Sequence, residues 1–178
     1  SVTKIGEDSF RGCRSLTNIA IPNNVTAIGI SAFQGCSSLI SVVIPEDAAT
    51  TPNNDFWENL IIKNIGAYAF YGCYSLVSVT IPNNVTEIGE FAFSECRNLT
   101  NITIPNSITE IGESAFKGCT NLTSIIIPES VKKIGESAFC DCCSLTSVNI
   151  PKNVKEMHDY AVGLVNIASD ERTIAKYR

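Results

Sequence analysis

Histidine occurs once in this chain, at His158, and tryptophan once, at Trp57. A single imidazole leaves little room for a nucleophile–His–acid triad or for the His clusters common at zinc sites. Charge is scarce too. Only 17% of residues are Asp, Glu, Lys or Arg, and 13 basic residues stand against 18 acidic ones, for a net charge of −5. A surface that grips phosphates carries a basic stripe, so this balance argues against a nucleic-acid partner. No apolar run approaches the roughly 20 residues of a membrane-spanning helix. The chain opens at Ser1 without a signal-peptide pattern, as a mature or excised form does. What is abundant is apolar material, 44% of 178 residues, enough for one continuous core and too much for a disordered chain.

That material is periodic. Ile-Gly pairs begin at Ile5, Ile28, Ile65, Ile88, Ile111 and Ile134, with successive gaps of 23, 37, 23, 23 and 23 residues. A Phe follows each Ile by five positions, from Phe10 to Phe139, and a Cys by eight, from Cys13 to Cys142. Leu16, Leu39, Leu76, Leu99, Leu122 and Leu145 continue the register, and Ile-Pro closes each unit. The repeat reads I-G-x-x-A-F-x-x-C-x-x-L-x-x-[IV]-x-I-P-x-x-[VI]-x-x. Its next phase falls on Met157-His158, where the pattern decays.

The alternation in Ser147-Val148-Asn149-Ile150 has the period of a half-buried strand, and the following proline removes a backbone donor and ends it. A second short extended piece, as in Val131-Lys132-Lys133-Ile134, leads into Gly135, read as a turn. The stretch Ser137-Ala138-Phe139 is read as a tight helical or 3₁₀ turn that drives Phe inward. No single 23-residue unit buries so much apolar surface alone; stacked units do, each column packing on its neighbours.

The motif L-x-x-[IV]-x-I-P joined to I-G-x-x-A-F-x-x-C resembles the BspA-like class of leucine-rich repeats, over about Val2 to Val154. The resemblance implies a leucine-rich-repeat right-handed solenoid, β-rich with short helical or 3₁₀ turns and 23-residue repeats. It also implies a cell-surface or secreted location and protein binding, several relatives being adhesins for host matrix proteins. It brings no catalytic residues with it. Residues 1–178 are accordingly one repeat domain of about seven coils, with a degenerate last coil over 155–178. Val2 falls in the middle of a unit without a polar cap, so either further repeats ahead of it, the favoured reading, or a partner chain covering this end is expected.

One gap exceeds the others by 14 residues, placing an insertion at 46–59 that contains Phe56 and Trp57. Insertions in solenoids map to loops on one face, often the binding face. The following coil carries Tyr68, Tyr71 and Tyr74, and Phe91 follows Tyr68 one layer on. Two outcomes are open: an exposed aromatic binding patch, or Phe56 and Trp57 folded back onto the tyrosines to seal the loop.

Six of the eight cysteines share one column, which reads as a ladder of small buried hydrophobes. Parallel side chains in that ladder hold the Cβ atoms too far apart for disulfides. Cys140 and Cys143 lie off it, as a local bridge or two free thiols; a four-ligand zinc site lacks partners. Glu90, Glu113 and Glu136 form one acidic column, and Glu87 and Glu110 a neighbouring one. Ca²⁺ between them is conceivable, but splayed, solvated carboxylates are the plainer account, with Glu110 free to turn toward Lys132 or Lys133. Asn-x-Ser/Thr sequons at Asn24, Asn84, Asn98, Asn101 and Asn121 arise from repeat columns.

The outward positions of the main sheet include Ser41, Val43, Ser78, Thr80, Asn101, Thr103, Ser124 and Ile126, a flat row almost free of charge. With Phe56, Trp57, Tyr68, Tyr71, Tyr74 and Phe91 these are the candidate binding residues. No cofactor, metal or catalytic group is expected. The expected function is an adhesin-like scaffold for host or matrix protein; a glycan-binding module and a structural spacer are the alternatives.

Overall fold

The computed structural model describes residues 2–45, 62–158 and 160–162, and the backbone alone at 166–167. The insertion, with Phe56 and Trp57, lies outside the described residues, as does most of the last coil.

The chain winds as a parallel β-solenoid. On one side, strands β1 (Asn18–Ala20) and β2 (Ser41–Val43) stack, and β4 (Ser78–Thr80) stacks on β2. Single-residue bridges continue this sheet through Thr80, Thr103, Ile126 and Asn149. On the other side, a sheet runs through β3 (Asn64–Ile65), β5 (Glu87–Ile88), β6 (Glu110–Ile111), β7 (Lys133–Ile134) and β9 (Glu156–Met157). The strand β8 (Ser147–Val148) pairs in parallel with β10 (Asn166–Ile167). The pairs Ile65↔Ile88, Ile88↔Ile111 and Ile111↔Ile134 hold the 23-residue register.

Across the insertion the register jumps by 37 residues and the geometry does not change. Ser41 pairs with Ser78 and Val42 with Val79. The Phe33 and Phe70 rings stack at 5.3 Å, beside 5.2 Å for Phe10–Phe33 and 5.3 Å for Phe70–Phe93. Stacking of the core columns fixes the layers on both sides of the insertion.

Phe33, Phe70, Phe93, Phe116 and Phe139 are completely buried, as are Leu39, Leu76, Leu99 and Leu122. The cysteine column is buried from Cys36 to Cys142, and all eight cysteines are free thiols. Each buried thiol donates to a phenylalanine carbonyl one coil back: Cys73 Sγ to Phe33 O, Cys96 Sγ to Phe70 O and Cys119 Sγ to Phe93 O, all at 3.2 Å. Burial raises the pKa of these thiols, that of Cys142 to about 12.

The expected tight turn takes the 3₁₀-like form, as single i→i+3 closures. The I-G-x-x-A-F segment contains no helix, and there is none among the described residues. In the fifth coil Ala115, Lys117 and Cys119 donate to Gly112, Ser114 and Phe116, closing single three-residue turns. The N–H groups between them, on Ser114, Phe116 and Gly118, donate instead to Glu136, Ala138 and Cys140 of the next coil. Alternate donors therefore bond between layers, and no helical ladder forms. The backbone also turns left-handed twice per coil, at Ser114 (φ 51°) and Gly118 (φ 73°).

The Ile-Gly glycine opens the turn, as expected, by accepting from Ala115 in the fifth coil, but it is not one of the left-handed residues. Its role is close approach. A Cβ on Gly112 would lie 2.7 Å from the backbone N of Glu90 and the carbonyl carbon of Gly89, one coil back. The seventh coil has His158 in this column, where its backbone N still donates to Ile134 O at 3.1 Å.

Candidate functional site

Three surfaces emerge from this frame. The first is the outward row of the main sheet. Val43, Ser78, Thr80, Asn101, Thr103, Ser124 and Ile126 are exposed as the alternation requires, and Ser41 is half-buried. Ile126 is 82% exposed and Val43 59%, so the row has apolar points among its hydroxyls and amides. Ile40 and Val77, just before the strands in neighbouring coils, add exposed aliphatic surface that the strand alternation does not reveal.

The second surface lies on the turn that follows the Ile-Gly pair in coils three and four. Tyr68 and Phe91 stack face to face at 4.8 Å, with an interplanar angle of 5°. Tyr71 meets Tyr68 at 5.8 Å and a tilt of 58°, an edge-to-face contact beside the stacked pair. Three residues on, Tyr74 is capped by Arg97, whose guanidinium carbon lies 5.0 Å from the ring centroid. Arg97 is in turn held by Glu95 through two hydrogen bonds, at 3.0 Å from Nε and 2.9 Å from a terminal nitrogen. The Glu95 carboxylate raises the pKa of Arg97 through that hydrogen bond and its charge, with smaller contributions from Tyr74 and Tyr71.

Of the six aromatic residues singled out in the sequence, the structure joins Tyr68, Tyr71 and Phe91, places Tyr74 under Arg97, and adds Glu95 and Arg97, which were missed. A signal was present. Glu95 replaces glycine in the column of Gly12, Gly35, Gly72 and Gly118, as Asp141 also does, and its φ of 62° keeps it in the left-handed region. Tyr68 and Phe91 are left-handed as well, at φ 57° and 53°, in a column otherwise held by Asp8, Ser31, Ser114, Ser137 and Tyr160. Any non-glycine residue pays about 1–2 kcal/mol there, and because the conformation recurs in every described coil it belongs to the repeat itself.

The third surface is a groove lined by Glu87, Glu90, Glu110, Glu113, Glu136, Lys133 and His158. Lys133 Nζ reaches Glu110 Oε1 at 2.6 Å, one of the two partners foreseen for that glutamate. Among the described residues no three His, Cys, Asp or Glu side chains converge to hold a metal ion. Nor is any helix there long and apolar enough to cross a membrane.

Comparison with known proteins follows the same architecture. A leucine-rich-repeat protein of T. pallidum shares 27% identity at a TM-score of 0.67, covering 89% of this chain and 82% of that one. A leucine-rich cell-surface protein of Faecalibacterium prausnitzii shares 30% identity at a TM-score of 0.63, covering 98% of this chain and 54% of that one. A leucine-rich-repeat protein of Bacteroides ovatus shares 26% identity at a TM-score of 0.62, covering 86% of this chain and 45% of that one. The chain therefore spans about half the length of these last two relatives. Among curated proteins none matches. The model of the BspA type leucine-rich repeat region matches residues 1–61 and 59–168 in six copies. With its repeat, its stacked core and its relatives in agreement, the chain belongs to the BspA-type leucine-rich-repeat family.

Proposed function

We propose that this chain is a cell-surface or secreted scaffold that binds protein, with host or extracellular-matrix protein as the partner class. The observation that carries this reading is family membership joined to two outward surfaces, the sheet row and the aromatic patch, both held by backbone stacked on a packed core. Surfaces fixed in this way lose little conformational entropy on binding. Similarity to a leucine-rich cell-surface protein supports the location. Scaffolds of this type are typically not enzymes, and no catalytic role is assigned here.

The test is solid-phase binding of the chain to a panel of immobilised extracellular-matrix proteins. Three variants divide the surface: Ser78→Lys with Ile126→Lys on the sheet row, Tyr74→Ala on the patch, and Phe56→Ala with Trp57→Ala in the insertion. Binding lost in one variant and kept in the others assigns the face. Absence of saturable binding to every matrix protein overturns the proposal.

A further inference from the structure

Five Asn-x-Thr triplets begin at Asn24, Asn84, Asn98, Asn101 and Asn121, and the fold treats them in two ways. We propose that Asn98, Asn101 and Asn121 are acceptors of N-linked glycan, taken from a donor whose sugar is activated at its anomeric carbon by pyrophosphate.

Exposure separates the two groups first. Asn98, Asn101 and Asn121 are exposed, whereas Asn24 and Asn84 are half-buried. The middle residue of each exposed triplet, Leu99, Ile102 or Leu122, is buried in the core. With that side chain inside, the flanking Asn and Thr lie on the outer side together, Thr103 and Thr123 exposed and Thr100 half-buried. An acceptor site is read through both of these groups.

The reacting atom separates them again. Among the described residues, the Nδ2 of Asn98 and of Asn101 donates no hydrogen bond, and Asn98 only accepts, at Oδ1, from Asn121 Nδ2 across a long 3.4 Å. Asn24 instead commits its Nδ2 to Val2 O at 2.7 Å. Asn153 stands in the same column with no Thr two places on, and its Nδ2 donates to Glu129 O at 3.1 Å. That column uses asparagine to tie one coil to the coil before it.

The repeat makes no such demand at the exposed positions. Ser15, Ser38, Ser75 and Ser144 occupy the column of Asn98 and Asn121 in the other coils. Ser41, Ser78, Ser124 and Ser147, with Asn18, share the column of Asn101. Serine therefore builds the solenoid at these places, and asparagine adds an amide nitrogen facing solvent.

In the transfer, Asn Nδ2 forms a bond to the anomeric carbon of the sugar and loses one proton to a base of the transferase. The bond from that carbon to the pyrophosphate oxygen breaks, and its electron pair leaves with the pyrophosphate. The pyrophosphate is carried by a lipid in one kind of donor and by a nucleoside in the other, with the same bonds made and broken.

The experiment uses the whole 178-residue chain in two arms. In the first, yeast secretes the chain behind a cleavable signal and supplies a lipid-linked donor. Release by peptide-N-glycosidase in heavy-oxygen water then marks each occupied asparagine as labelled aspartate. In the second, the folded chain is incubated with UDP-glucose and a nucleotide-sugar-dependent N-glycosyltransferase, and mass spectrometry locates the added hexose. Modification is expected at Asn98, Asn101 and Asn121 in at least one arm, with Asn24 and Asn84 left unmodified. The arm that succeeds identifies the donor. Thr103→Ala keeps the Asn101 amide and should remove only the glycan there, with the melting temperature unchanged. Absence of modification at the three asparagines in both arms, occupancy at Asn24 or Asn84 matching theirs, or an Asn101 glycan that survives Thr103→Ala overturns the inference.

Discussion

The thiol of Cys96 donates to the carbonyl oxygen of Phe70 across 3.2 Å, joining residues 26 apart in sequence. The same bond recurs from Cys36 to Phe10 and from Cys142 to Phe116, so the cysteine column stitches each coil to the carbonyl of the one before. A cysteine is small enough for the column and, unlike alanine, brings a donor.

Thiol reactivity should follow this arrangement. Native protein treated with iodoacetamide is expected to label at Cys13 and Cys143, which are exposed, and more slowly at Cys140. Burial raises the Cys140 pKa, and neighbouring Asp141 raises it further. Cys36, Cys73, Cys96, Cys119 and Cys142 should label only on unfolding. Mass spectrometry of digested protein gives the sites, and rapid native labelling of Cys96 would contradict the ladder.

Stability should fall at alkaline pH. The buried thiols have folded pKa values above their ordinary value of 9.0, so their contribution is complete below that value. As pH climbs past 9.0 the unfolded chain gains charge that the folded one cannot, and unfolding is favoured until the folded pKa is reached, about 12 for Cys142. Denaturant midpoints at pH 8 and pH 10.5 measure this. Replacement of Cys96 and Cys119 by Ala should flatten the alkaline slope while lowering stability at neutral pH by about 1 kcal/mol for each lost hydrogen bond.

Phe93→Ala opens a cavity between the rings of Phe70 and Phe116, stacked on it at 5.3 and 5.5 Å, and should cost about 3–5 kcal/mol. Ser124→Ala on the exposed face should change stability by under about 0.5 kcal/mol. Chemical denaturation of both variants tests the contrast, and equal effects would refute the assignment of core and surface.

The two glycine columns separate by mechanism. Gly112→Ala forces a methyl group to 2.7 Å from backbone atoms that no side chain can vacate, and should cost about 1–3 kcal/mol or more. Gly12→Ala meets open space, but its φ of +70° costs a left-handed residue about 1–2 kcal/mol. In the opposite direction, His158→Gly restores the small residue of this column and should raise the melting temperature; a lower value would show that a side chain is accommodated there without cost.

Much of this protein follows from one sequence. The 23-residue period, the Phe, Cys and Leu columns and the outward sheet row are all legible there, because a solenoid repeats its contacts at fixed spacing and each column has one environment. Backbone conformation inside the turn is not. Ser137-Ala138-Phe139 reads as a helical or 3₁₀ turn, and local propensity cannot register that alternate N–H groups bond to another coil, which leaves only single closures. The Ile-Gly glycine reads as a turn residue, but nothing in its own unit shows the backbone of the previous coil 2.7 Å away. Tyr68, Tyr71, Tyr74 and Phe91 could be named from sequence, but not whether they stack, tilt or scatter. Only the tertiary structure set Arg97 over Tyr74 and Glu95 against Arg97, since that arrangement depends on how side chains from successive layers fill the space left by a replaced glycine.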